Sequence, residues 1–179
     1  MKHISFVRLS IDLFFCIFVS SMICLVLSFS IMLMMNTPLI RLLCQLLCFS
    51  ASFSLLIQKA WQTGASDINR VKNDISAEDE KKGYKAALLA VLPFIITAVT
   101  LLLCKLDVLS FDFLFIYRFT NPIFMPLSYS LLPASQFLSE IPLGNIIVTL
   151  FLPLILPLIC GLSYTAGYRK LSLKSLIEK

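Results

Sequence analysis

Residues 13–35 read LFFCIFVSSMICLVLSFSIMLMM, residues 36–38 read NTP, and residues 39–57 read LIRLLCQLLCFSASFSLLI. A helix rises 1.5 Å per residue, so about 20 apolar residues cross the roughly 30 Å of bilayer hydrocarbon. Each flank of Asn36-Thr37-Pro38 is that long. The tripeptide is helix punctuation: Thr37 can cap the first amides of a new helix, and Pro38 fits a first turn, where no N–H is needed. The stretch predicts two spans, 13–35 and 38–57, paired as a tight antiparallel hairpin that makes residues 1–57 one N-terminal unit. Lys2, His3 and Arg8 ahead of it have the order of a secretory signal. The apolar run, however, exceeds the ~7–15 residues of a signal core and no A-x-A site follows, so it reads as an uncleaved first span.

The rest of the chain has the same character. It is 59% hydrophobic and 14% charged over 179 residues, with a mean hydropathy of +0.92, whereas soluble domains carry about 25% charged residues. That composition excludes a disordered regulator, and the net charge of +5 is spread along the chain instead of gathered on one basic face, which excludes a nucleic-acid binder. Residues 58–85 break the apolar pattern, with Lys59, Arg70, Lys72, Lys81, Lys82 and Lys85 set against Asp67, Asp74, Glu78, Asp79 and Glu80. They are read as an aqueous loop whose Ser76-Ala77-Glu78-Asp79 start caps a short helix running into a third span, with Gly83 bending the junction. The third span covers 86–104, a fourth covers 143–164, and a basic tail fills 165–179. Of the 15 Lys and Arg residues, only Arg41, Lys105 and Arg118 fall opposite the others in this arrangement. The bias favouring cytoplasmic Lys and Arg therefore places both termini and the 58–85 loop inside.

Residues 105–142 are too apolar for an ordinary loop. A fifth crossing at 119–139 would bury Pro122, Pro126, Pro133 and several amides and hydroxyls in lipid and would send the C-terminal cations outside. The segment, rich in aromatic residues from Phe111 to Phe137, is read as an extracytoplasmic interfacial or re-entrant element. Its alternation at 111–119 fits a strand, while Phe111, Phe115 and Arg118 fit a helix face. The expected fold is an all-α integral membrane protein of four spans.

Within the spans, Ser20, Cys24 and Ser28 recur every fourth residue on the first helix, and Cys44, Cys48 and Ser52 do so on the second. These stripes of small side chains suit close helix packing. The competing reading is a Cu(I) site from Cys44 and Cys48 with Met32, Met34 and Met35. All six cysteines, Cys16 and Cys160 included, lie in apolar runs and read as reduced packing residues. Pro93, Pro153, Pro157 and Gly161 are candidate kinks. No ionisable residue lies near the centre of a span, which argues against a proton relay within this chain. Asp12 can neutralise Arg8 one turn earlier, and Gln45, the one deep amide, can bond a neighbouring helix. The sole histidine is His3, no phosphate-binding Gly-Lys-Ser/Thr run occurs, and the carboxylates at 78–80 sit beside lysines in a solvated turn. No catalysis, cofactor or resident metal is expected.

Trp61-x-x-Gly64-x-x-Asp67-x-Asn69-Arg70-Val71, Gly83-Tyr84-Lys85, Tyr117-Arg118-x-x-Asn121, Phe124-x-Pro126-Leu127 and Tyr164-x-x-Gly167-Tyr168 resemble a type of small multi-span membrane protein of low-GC Gram-positive bacteria to which no activity is assigned. The resemblance spans roughly residues 58–168 and implies a bacterial cytoplasmic membrane. The residues themselves leave two roles open for the loop. Trp61, Gly64, Asp67, Asn69 and Arg70 form either a docking site for a membrane protein partner or interfacial anchors, turn formers and a local Asp67–Arg70 ion pair. The leading expectation is an interaction or accessory subunit in contact with the lipid bilayer and with a partner or further copies of itself. The alternative is a transporter component that binds a small molecule and relies on a separate ATPase.

Overall fold

The computed structural model describes residues 6–31, 37–73, 79–133 and 137–169. Met32, Met34 and Met35, the Ser76-Ala77-Glu78 helix start and the cations Lys2, Lys170, Lys174 and Lys179 lie outside the described residues. Every regular element among those residues is helical: α1 (Phe6–Ile31), α2 (Pro38–Val71), α3 (Lys82–Lys105), α4 (Leu114–Thr120), α5 (Met125–Leu131), α6 (Leu143–Phe151) and α7 (Ile155–Tyr168). Single 3-10 turns at Pro122–Phe124 and Leu152–Leu154 join α4 to α5 and α6 to α7. Four stretches, α1, α2, α3 and Leu143–Tyr168, are long and apolar enough to cross a bilayer. Large apolar side chains such as Phe15 (59% exposed), Val26 (65%) and Leu39 (67%) face outward, an arrangement suited to lipid and unfavourable in water. The chain is an all-α, four-span membrane protein.

The helices depart from the expected bounds at four places, the first being α1, which begins at Phe6, seven residues ahead of the expected start at Leu13. α2 does not end near Ile57 but continues to Val71, adding about 20 Å of helix over residues assigned to the loop. Loss of hydrophobicity is not loss of helicity, because a helix satisfies its own backbone and this stretch contains no proline. α3 begins at Lys82. Its start is set by Asp79, whose Oδ1 accepts the Lys81 N–H at 3.1 Å and whose Oδ2 pairs with Lys85 Nζ at 3.2 Å, and Gly83 lies inside the helix instead of bending a junction. The fourth span runs to Tyr168 and is interrupted at Leu152–Leu154, where Pro153 lacks an N–H and the Pro157 ring crowds the carbonyl four residues earlier.

The contacts of the chain divide it into two units, Met1–Ile17, Phe53–Val91 and Ile155–Lys179 in one, Phe18–Ser52 and Leu92–Leu154 in the other. In the second unit Ser20, Cys24, Ser28, Cys48 and Ser52 are fully buried and Cys44 nearly so. Cys24 Sγ lies 3.5 Å from Ser52 Oγ and 3.6 Å from the Cys48 carbonyl oxygen. All six cysteines are free thiols. A hydrophobic cluster of Leu101, Leu114, Tyr117, Leu132, Ile141 and Ile146 ties α3 to α4 and α6.

The 105–142 segment belongs to this unit. Its two helices have seven residues each, far short of the ~20 that a fifth crossing needs. The strand-like alternation resolves into helix from Leu114 onward, and Phe115 and Phe119, one turn apart, stack at 6.1 Å. The turn between α4 and α5 is buried, and polar side chains hold it. Gln45 Nε2 donates to the Ile123 carbonyl at 2.8 Å while Gln45 Oε1 accepts the Leu127 N–H at 3.0 Å. Those two backbone groups are four residues apart, so the Gln45 amide bridges a pair that a regular helix would bond directly. Asn121 Nδ2 donates to Thr97 Oγ1 at 2.8 Å, Asn145 Nδ2 to the Leu131 carbonyl at 2.8 Å, and Tyr117 Oη to the Thr149 carbonyl at 3.3 Å. Gln45 and Thr97 each sit about two turns from the helix end nearest this segment. The segment therefore packs along the sides of α2 and α3 and not only against their ends.

Candidate functional site

The motif residues of the sequence converge in the first unit, where α2 beyond Ile57, the start of α3 and the end of α7 meet. Gly64 and Asp67, three residues apart, share the inner side of the continuous helix, while the Trp61 side chain, two steps back from Asp67 at that spacing, has turned toward the outer side. On α7, Gly161, Tyr164, Gly167 and Tyr168 likewise share a buried side. The glycines let the backbones touch. A Cβ at Gly64 would come within 3.0 Å of the Tyr164 carbonyl oxygen and the Tyr168 amide nitrogen, and one at Gly167 within 3.0 Å of the Trp61 carbonyl oxygen. α3 and α7 fit by the same device with side chains: the Tyr164 ring lies over Gly83 and the Tyr84 ring over Gly161. Four of the five glycines in the chain are spent here, while the fifth, Gly144, has open space around its Cβ position.

Asp67 sits at the centre. Its Oδ2 accepts from Lys82 Nζ at 2.6 Å and from Tyr164 Oη at 2.8 Å, with the Asp67 and Lys82 side chains only 10% and 15% exposed. One carboxylate thus joins α2, α3 and α7. A buried charge pair of this kind is stable only when both partners are present, because taking either away leaves the other desolvated and uncompensated. Two more exposed pairs flank it. Asp12, expected to neutralise Arg8, forms its ion pair with Lys59 of α2 at 2.9 Å. Arg169 Nη2 binds Glu80 Oε2 at 2.9 Å, and that guanidinium holds the Glu80 carboxyl below its ordinary range while the carboxylate raises Arg169.

The five candidate docking residues therefore separate. Gly64 and Asp67 turn inward and are consumed by helix contacts, which corrects their assignment to an outward-facing loop. Trp61, 40% exposed, and Asn69 face outward, and Arg70 is half-buried. Asp67 takes Lys82 and Tyr164 as its partners, not the Arg70 of the expected local pair. Lys82 and Tyr164 belong to the site although neither was singled out for it. The Tyr164-x-x-Gly167-Tyr168 and Gly83-Tyr84 patterns were the signal for α7 and α3, whereas nothing marks Lys82 except its place at the head of a span. Of the candidate kinks, Pro93 lies exposed within α3, and Pro153, Pro157 and Gly161 are buried.

Chemically the junction is a lock. Asp67 has its two partners, the tyrosine hydroxyl is a donor to a carboxylate, and no group of three or more potential metal-ligating side chains occurs among the described residues. What the lock positions is the opposite face of the α2 extension, where Trp61, Gln62, Asn69 and Lys72 are exposed. Compared with protein-family models, curated proteins and solved structures, the chain has no match in any of the three.

Proposed function

We propose that the protein is an interaction or accessory subunit of a bacterial cytoplasmic membrane, with both termini inside, which docks a membrane protein partner through the exposed face of the α2 extension. The observation behind this reading is the helix that continues past the span and is fixed on its inner face by Asp67, Lys82, Tyr164 and the glycine contacts. A rigid helix presenting Trp61 beside polar residues is a low-entropy platform, since little ordering remains to be done on binding, and Trp is prominent among residues that carry interface energy. Tagged wild-type protein, purified from native membranes in mild detergent, should copurify a stoichiometric partner. A Trp61→Ala/Asn69→Ala/Lys72→Ala variant should lose that partner while keeping its own melting temperature. Retention of the partner by the variant would refute the docking face.

A second reading rests on a different observation, the α4–α5 segment packed beside a fourth span interrupted at Leu152–Leu154. Interrupted helices accompany substrate sites in transporters, so this reading makes the chain a substrate-binding component served by a separate ATPase. It requires that some small molecule raise the melting temperature in a ligand screen, and a screen of vitamins and lipids without a stabilising compound would count against it.

A further inference from the structure

Beyond α3 the chain forms an open cavity of about 420 Å³, lined by other residues than the helix junction and the docking face. Its volume falls within the ~300–1,000 Å³ typical of small-molecule sites. The wall carries Lys105, Asp107, Asp112 and Ser139 together with the aromatic residues Phe111 and Phe137. The cation is already engaged: Lys105 Nζ donates to the Leu138 carbonyl at 3.1 Å and to the Ser139 carbonyl at 2.7 Å. The two carboxylates form no ion pair among the described residues, and Asp112 spends one oxygen on the Leu114 N–H at 2.9 Å. The wall therefore carries a net negative charge with its one positive group turned to backbone carbonyls. Both aromatic residues are exposed, Phe111 at 49% with its ring edge-on to Phe113 at 5.8 Å and Phe137 at 71%. Carboxylates and aromatic faces have one preference in common, a positive charge, the first by direct attraction and the second through the ring quadrupole.

We propose that this cavity binds a small organic ammonium group, held between the Asp107 and Asp112 carboxylates with Phe111 and Phe137 against its carbon substituents. Two sources carry that chemistry, a free amine and the headgroup of an ethanolamine lipid. The test uses the full chain in neutral maltoside micelles, titrated with benzyltrimethylammonium in a calorimeter. The comparison is an Asp107→Asn/Asp112→Asn variant chosen to fold. Asn tolerates the left-handed backbone of Asp107 (φ 57°), and at 112 it keeps an oxygen for the Leu114 amide. Saturable binding by the wild type, weakened about tenfold in a variant of unchanged melting temperature, is the expected result. Displacement of the probe by added phosphatidylethanolamine identifies the lipid headgroup as the source, and failure to displace it identifies a free amine. Equal affinity in the two proteins, or no saturable binding by the wild type, would overturn the proposal.

Discussion

Single residues decide the junction of α2, α3 and α7, and the glycines do so through what they lack. At Gly64 and Gly167 an added methyl group would meet backbone of the facing helix, which cannot rotate away as a side chain could. Gly64→Ala should lower stability by about 2 kcal/mol or more, read as a fall in melting temperature in detergent. Gly144→Ala, with open space, should leave stability unchanged or slightly raised. Asp67 allows a sharper contrast. Asp67→Asn strands the Lys82 ammonium in a nearly buried place and should cost about 3 kcal/mol, whereas Tyr164→Phe keeps the ring over Gly83, removes one hydrogen bond and should cost about 1 kcal/mol. Equal losses would mean that the carboxylate's charge does not matter to the lock. Tyr117 makes a pH prediction. Burial pushes its phenol from 10.0 up to about 12, so folded and unfolded chains both hold the proton below pH 10. Between pH 10 and about 12 the unfolded chain ionises first, and stability should fall by about 3 kcal/mol across that window. Ultraviolet titration, comparing wild type with Tyr117→Phe, should show one phenol of the five titrating near 12 and absent from the variant.

At the level of elements, the polar side chains that hold the α4–α5 segment replace hydrogen bonds that regular helices would make. Between the Pro122–Phe124 turn and α5, Pro126 supplies no N–H, and Gln45 spans the gap from the Ile123 carbonyl to the Leu127 N–H. Gln45→Leu conserves volume and leaves both backbone groups buried without that bridge, at a cost of about 2 kcal/mol. A midpoint of unfolding unchanged from wild type would show that the segment holds itself in place. The same elements mark how far the sequence could be read. Apolar runs and the Asn36-Thr37-Pro38 punctuation located the four spans, because lipid imposes both length and composition on a crossing helix. They did not locate the end of α2, since beyond Ile57 the helix answers to its neighbours and not to the bilayer. Gly64 and Asp67 suit a loop by composition, and only the facing surfaces of α3 and α7 give them a reason to be helical. The three-residue spacing of Trp61, Gly64 and Asp67 was legible, but the Lys82 that pairs with Asp67 was not, because a lone lysine at the head of a span carries no pattern. Against the α4–α5 segment Gln45 of α2 was recognisable as an amide in search of a partner, yet that partner is irregular backbone, which has no signature in side-chain periodicity.

For the molecule as a whole, the location of charge and the length of α3 make the proposed orientation testable. α3 has 24 residues, about 36 Å of helix, so its two ends emerge on opposite sides of the hydrocarbon. Lys72, Lys81, Lys82 and Lys85 cluster toward its first end, and Lys105 alone among the basic residues marks its last turn. In the proposed orientation, with Lys and Arg favouring the inside, the 72–85 side faces the cytoplasm and Val108 the exterior. The six native thiols are buried or half-buried, and thiols in apolar surroundings react poorly, so the natural sequence is a quiet background for labelling with a membrane-impermeant maleimide. A cysteine at the exposed Val108 (65%) should be labelled in intact cells. A cysteine at the exposed Asn73 should be labelled only after the membrane is opened. Labelling of both from outside would require an even number of crossings between them, and α3 could not then be a membrane span. Labelling of Asn73→Cys alone in intact cells would keep the four spans and invert them, which would put the α2 extension outside and leave the proposed cytoplasmic docking face without its compartment.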